Sequence, residues 1–246
     1  MNDVAVEEAS GLQPKYLKPS KPRMNRYYED TLSADRLRKC YRIAPPRIRQ
    51  YLKAEADFVI DGVRGSGVVL ELGCGYGRVM KQLARHVGII VGCDTSRRSL
   101  KLARRTMRAL GNIHLLCADA SYLPFQQGAF DAVFCIQNGI SAFGVNRQQL
   151  VTEALRVTGA GGSVLFSTYS RKIWRERLAW FRAQSEAGLI GEIDEVRTGM
   201  GTIVCEDGFR ATTMRASELR RLFSEAGAKP RIMEVDESSL FCLARK

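Results

Sequence analysis

The chain has 246 residues, of which 38 are Lys or Arg and 26 are Asp or Glu, for a formal net charge of +12. At 45% hydrophobic and 26% charged it has a soluble globular composition, sized for one large domain or one domain with an appendage. Its apolar stretches are strand-sized, which excludes a transmembrane helix, and its seven cysteines form no CxxC pair, which argues against a disulfide framework and a zinc site.

Residues 1–25 read as a flexible tail, with Pro14, Pro19 and Pro22 among lysines. They lack the apolar core of a secretory signal, so the expected location is cytoplasmic. SADRLRKCYRI and PRIRQYLKAEADFVI then read as two helices parted by Pro45-Pro46, because proline cannot continue a helix from within. In the second, Ile48, Tyr51, Leu52, Phe58 and Val59 fall on one face. We assign 26–66 to an N-terminal helical cap.

From Val68 strands and helices alternate. VVLEL precedes the helix GRVMKQLARHV, IIVGCD precedes RRSLKLARRTMRAL, and IHLLCAD leads through a loop to DAVFCIQ. The helix RQQLVTEALRVT then leads to GSVLFSTY. Continuous apolar strands between helices predict a parallel sheet covered on both faces. After Tyr169 the rhythm breaks: RKIWRERLAWFRAQSEAGLI reads as a helix and GTIVCEDGFRATTM as a hairpin turning at Asp207-Gly208. We read about 171–214 as a lid insertion, with Ile173, Trp174, Leu178 and Phe181 on one helical face. The helix ASELRRLFSEAG stops at Gly227, and RIMEVDE and SSLFCLARK are joined too tightly for a parallel crossover, so they pair antiparallel. The expected fold is α/β: a doubly wound, mostly parallel seven-stranded sheet with an antiparallel last strand, helices on both faces and the helical cap. The Rossmann-like domain then spans 67–246.

Gly73, Gly75 and Gly77 follow the first strand directly. So many glycines cost backbone entropy, which implies that a ligand approaches the bare backbone there. Asp94 ends the second strand, where a carboxylate can accept ribose hydroxyls, and Asp119 ends the third. A dinucleotide enzyme has no standing need for the third-strand acid, whereas a lone adenosine offers its amino group to it. The dinucleotide pattern GxGxxG also fails, since position 78 is Arg78.

ELGCGYG, GCDTS, CADASYLPF and FDAVFCIQN, in this order and spacing, resemble the class I S-adenosylmethionine-dependent methyltransferases, closely over about residues 50–170. The resemblance implies S-adenosyl-L-methionine as cofactor and S-adenosyl-L-homocysteine as product. It places Gly73, Cys74 and Gly75 along the methionine part, with Glu71 helping to hold the amino group. It also places Asp94 with Thr95 at the ribose, Asp119 with Ala120 at the adenine, and Gln137 where cofactor faces acceptor.

Methyl transfer needs alignment and exclusion of water, and a base only for a protonated acceptor. His86 and His114 fall at the far edge of the sheet, which leaves Tyr28, Tyr41, Tyr169, Glu206 and Asp207 as candidate bases and singles out none. Where amine-modifying relatives carry Asn-Pro-Pro-aromatic, this chain has Gln137-Asn138-Gly139-Ile140. Cys135 lacks the preceding proline of a cytosine-C5 enzyme. Tyr28, Tyr41, Asn138 and Trp174 are the expected acceptor-binding residues, and a small molecule under the cap and lid is the expected substrate. Metalloid methylation would need several cysteines at the pocket, and the candidates are Cys40 and Cys205. Two alternatives stay open. One is an RNA or protein substrate on the basic face of Arg98, Lys101, Arg105 and Arg108, a pattern that a solvated helix also gives. The other is a cofactor-binding protein without catalysis. The sequence leaves the oligomeric state open.

Overall fold

The computed structural model describes residues 26–246, and the expected tail over 1–25 lies outside the described residues. Seven strands form one sheet in the order β3-β2-β1-β4-β5-β9-β8. They are β1 (Val68–Leu72), β2 (Ile89–Asp94), β3 (Ile113–Cys117), β4 (Phe130–Cys135), β5 (Thr158–Tyr169), β8 (Arg231–Val235) and β9 (Ser239–Arg245). β1 pairs in parallel with both β2 and β4, so the strand order reverses beside β1. β9 inserts antiparallel between β5 and β8. This is the expected fold class.

Successive residues of a strand face opposite ways, so apolar runs feed two cores. Leu70, Val133, Cys135, Val164 and Phe166 enter one core, while Val69, Ala132, Phe134 and Leu165 enter the other. Helices α5 (Arg97–Thr106), α7 (Arg147–Val157) and α9 (Ala216–Glu225) cover the faces, with the short helices α4 (Met80–Leu83) and α6 (Gly139–Ala142). The helix expected over 77–87 is regular only at α4. Gly77 has φ of 80°, and the left-handed conformation breaks the helix at its start. α5 ends at Thr106, four residues short of the expected Leu110. Cys117 is exposed rather than packed inside its strand, because β3 is the sheet edge.

α1 (Tyr27–Asp30), α2 (Ala34–Arg42) and α3 (Pro46–Val63) precede the sheet. The later segment carries α8 (Trp174–Glu186) and the antiparallel pair β6 (Thr202–Val204) and β7 (Arg210–Thr212). The two segments share a third core. In it the fully buried Phe209 meets the rings of Tyr27 at 5.1 Å, Tyr28 at 5.9 Å and Phe181 at 5.5 Å. Burying a side chain of this size stabilises by roughly 1.5–3 kcal/mol, so the N-terminal helices and the β6–β7 hairpin hold one another. The buried face of α8 differs from the expected one. It consists of Arg177, Trp180, Phe181 and Gln184, while Trp174 and Leu178 are half-buried. The cause is Arg177. Apolar periodicity assigns an arginine to solvent, but here the rings of Tyr169, Phe181 and Trp174 surround its guanidinium.

Candidate active site

The turn after β1 puts Gly73, Gly75 and Gly77 at φ of 73°, 54° and 80°. Side chains other than glycine rarely adopt that region, so the three glycines are a backbone requirement. The amides of Gly73 and Cys74 both donate to the Cys93 carbonyl, at 2.8 and 3.0 Å, which locks the turn onto β2. A Cβ on Gly73 would lie 2.4 Å from the Phe143 ring.

Asp94 is set by the same turn. Its Oδ2 accepts the Gly75 amide at 2.8 Å and its Oδ1 accepts the Ser96 amide at 2.7 Å. Asp119 accepts the Ser121 amide at 2.9 Å, which fixes its rotamer at the end of β3.

After β4 the backbone turns left-handed twice, at Gln137 (φ 56°) and Asn138 (φ 61°), both non-glycine residues. Such strain persists where surroundings over-determine it, and it clusters at functional sites. Here the Gln137 amide donates to Ser167 Oγ at 3.0 Å, and Tyr41 donates its hydroxyl to Gln137 Oε1 at 2.6 Å. Gln137 Nε2 is buried with no partner. Asn138 donates to the Thr212 carbonyl at 3.0 Å and accepts from Thr168 at 2.7 Å, joining the end of β4 to the β6–β7 hairpin.

These elements enclose one cavity. The glycine turn and the ends of β2, β3 and β4 contribute Gly73, Gly75, Cys93, Asp94, Thr95, Asp119, Ala120 and Gln137 to its lining. Helices α1, α2 and α8 and the end of β5 contribute Tyr28, Leu37, Cys40, Tyr41, Tyr169, Trp180, Phe181 and Gln184, and α6 with the residue after it adds Gly139, Ala142 and Phe143. Thus the structure brings together ten sequence-derived candidates: seven at the glycine turn and strand ends, plus Tyr28, Tyr41 and Tyr169.

Other candidates fall elsewhere. Glu71 and Cys74 are buried beside the turn but not on the cavity wall. Glu71 Oε2 has no hydrogen-bond partner, and burial pushes its carboxyl up to about 8 against the pull of Arg78. Asn138 is consumed by its structural bonds, and Trp174 stacks on Arg177 away from the wall. Asp207 accepts the Tyr27 hydroxyl at 2.5 Å, clamping the hairpin to α1, and neither it nor Glu206 reaches the cavity. Of the cysteines, Cys40 and Cys93 line the wall and Cys205 does not; burial pushes the Cys40 and Cys93 thiols up to about 12. Burial also raises Tyr28, Tyr41 and Tyr169, with Arg177 drawing Tyr28 and Tyr169 partly back. None of the three is a ready base near neutrality. His86 bonds Arg64 at 2.8 Å and His114 is exposed on β3, both off the cavity.

Phe143, Trp180 and Gln184 are wall residues that the sequence reading did not name, whereas Phe181 was read on the lid face. Trp180 and Gln184 carried a signal, since they sit on the helix read as a lid. Phe143 carried none, because its contact with Gly73 spans 70 residues of chain. Among the described residues, no cluster of His, Cys, Asp and Glu could hold a metal ion, and no helix is long and apolar enough to cross a membrane.

A ligand cavity at the carboxyl ends of parallel strands, where the strand order reverses, defines a Rossmann-like nucleotide-binding protein. Residues 69–162 match the family described as "Methyltransferase domain". The chain is 30% identical over 184 residues to the malonyl-[acyl-carrier protein] O-methyltransferase of Marinomonas sp. (strain MWYL1), covering 72% of this chain and 62% of that protein. It is 31% identical over 112 residues to the ubiquinone/menaquinone biosynthesis C-methyltransferase UbiE of Wigglesworthia glossinidia brevipalpis, covering 43% of this chain and 44% of the relative. The matches therefore span about half to three fifths of those relatives' lengths. In fold the chain is similar to the PH0226 protein from Pyrococcus horikoshii OT3, with a TM-score of 0.67 at 21% identity over 89% of this chain and 97% of that one. The chain thus carries a methyltransferase domain of the class I S-adenosylmethionine-dependent type, whose cofactor is S-adenosyl-L-methionine.

Proposed function

We propose that the cavity binds S-adenosyl-L-methionine and that the protein transfers its methyl group to a small-molecule acceptor enclosed by α1, α2 and α8. The observation that carries this reading is the make-up of the cavity. Bare glycine backbone and two half-buried acids line it together with an aromatic roof from α1, α2 and α8. When bound, the cofactor supplies a methyl group activated by a sulfonium charge.

The residues fit that cofactor. Gly73 and Gly75 admit close approach, Asp94 takes the ribose hydroxyls, and Asp119 with Ala120 takes the adenine. The orphaned Oε2 of Glu71 leaves an unsatisfied hydrogen-bonding group beside the turn where the methionine part would lie. Gln137 stands where the strand ends and the helices meet, with a free Nε2 donor for cofactor or acceptor. Tyr41, bonded to Gln137, closes the roof over that point and excludes water.

The names of the relatives support a small acceptor group, a malonyl unit on a carrier protein in one and a quinone precursor pathway in the other. We place the protein in the cytoplasm, consistent with seven unpaired thiols. An RNA or protein substrate is the second reading, favoured by the exposed Arg98, Lys101 and Arg105 on α5 and Arg108 just after it. Binding without catalysis is the third. Radiolabelled methyl transfer distinguishes the three, with a small-metabolite extract and total RNA offered as separate acceptors. Label in metabolites supports the proposal, label in RNA promotes the second reading, and cofactor binding with no label in either promotes the third.

A further inference from the structure

Arg177 is the largest fully buried side chain of the protein, 1% exposed on the inner face of α8. A buried cation is costly unless an anion pairs with it. Arg177 has no such partner among the described residues. Nη1 donates to the Gly201 carbonyl at 3.0 Å and to Thr213 Oγ1 at 2.6 Å, and Nη2 donates to the Ala211 carbonyl at 3.0 Å. All three acceptors are neutral. Nε is buried with no partner at all.

The charge stands against one end of the cavity. The Arg177 guanidinium lies 4.2 Å from the centre of the Tyr169 ring and 5.5 Å from that of Phe181, and both rings line the cavity. Its field also reaches the Tyr28 hydroxyl, which lines the same end. The acids on the cavity wall are Asp94, Asp119 and Glu29, and Glu29 is paired at 2.8 Å with Arg26, which lines the wall as well.

Resting on the methyl-transfer reading above, we propose that the acceptor is a carboxylic acid, and that its carboxylate is held at the Tyr28–Tyr169 end by the charge of Arg177. The Tyr28 and Tyr169 hydroxyls can donate to it, and the guanidinium behind them supplies the counter-charge. Arg177 is then a positioning residue that sets acceptor class, in addition to pinning the β6–β7 hairpin to α8. A neutral acceptor of the same shape would leave the buried charge uncompensated.

The test measures binding to the full-length protein saturated with S-adenosyl-L-homocysteine, by quenching of tryptophan fluorescence and by calorimetry. The probes are acetate, phenylacetate and octanoate, each against its primary amide. We expect at least one acid to bind tenfold or more tightly than its amide. In Arg177→Gln that preference should fall towards unity while the affinity of the amide holds. In Tyr169→Phe, which keeps the buried charge and the ring, the preference should shrink but persist. If Arg177→Gln does not fold, the wild-type ratios and Tyr169→Phe decide. Wild-type protein without an acid preference in any of the three pairs overturns the proposal, as does a preference that survives intact in Arg177→Gln. Failure to bind S-adenosyl-L-homocysteine at the outset would instead remove the methyl-transfer reading beneath it.

Discussion

Replacing Gly73 with alanine perturbs the site through one carbon atom, and the structure separates its two costs. At φ of 73° an alanine must adopt the left-handed region, a penalty of about 1–2 kcal/mol. The new Cβ would also lie 2.4 Å from the Phe143 ring, so that ring must move, which costs about 1–3 kcal/mol more by the scale of overpacked cores. Gly65 is the internal control. Its φ is 79°, yet a Cβ there meets nothing within 4 Å, so Gly65→Ala carries the backbone penalty alone. Urea unfolding should therefore show Gly73→Ala less stable than Gly65→Ala by about 1–3 kcal/mol. Adding Phe143→Ala should make the pair less than additive, because the clash is gone. Calorimetry with S-adenosyl-L-homocysteine should show Gly73→Ala at least tenfold weaker than wild type and Gly65→Ala unchanged. Equal stability of the two alanine variants, with unaltered cofactor affinity in both, would refute the close-approach account of the turn.

Asp94→Ala should weaken S-adenosyl-L-homocysteine by roughly 1.5–3 kcal/mol, the scale of hydrogen bonds to a charged group, and an unchanged calorimetric affinity in a folded variant would count against the ribose assignment. Glu71 should impose a pH dependence on stability. Its carboxyl keeps a proton up to about pH 8 in the folded chain against a reference value of 4.5, so its contribution is full below that reference and lost as pH rises towards 8. Urea midpoints at pH 5, 6.5 and 8 should decline more steeply for wild type than for Glu71→Gln, with a residual slope from Glu55, which burial also raises; equal slopes would contradict the assignment. Changing Arg98, Lys101, Arg105 and Arg108 together to glutamate should leave methyl transfer to metabolites and cofactor affinity nearly unaltered, since α5 and the turn after it bury Leu100, Ala103 and Met107 and leave those four side chains exposed. Loss of activity in that variant would favour the phosphate-binding reading.

The sheet and the strand-end residues were legible because they depend on local chemistry. Three glycines in five positions after an apolar run announce a left-handed turn, and an acid at the end of a parallel strand falls at its carboxyl end whatever surrounds it. The antiparallel β9 was legible from the shortness of its connection to β8. The roof was legible only in outline. Arg177 breaks the apolar pattern of α8, and its burial is decided by Tyr169, Thr213 and two carbonyls that come from other segments. Asn138 and Trp174 have the chemistry of binding residues, but one is spent on tying β4 to the hairpin and the other on stacking against Arg177. Glu71 lies inside β1, two residues before Gly73, and is buried off the cavity wall.

The central claim, that the glycine turn with Asp94 and Asp119 forms an adenosine site of the methyl-donor type, is tested most directly by titrating the full-length protein calorimetrically with S-adenosyl-L-homocysteine and, separately, with NAD. The account predicts saturable binding of S-adenosyl-L-homocysteine in the micromolar range, on the order of 8 kcal/mol, and none of comparable strength for NAD. Tight NAD binding with no response to S-adenosyl-L-homocysteine would contradict it.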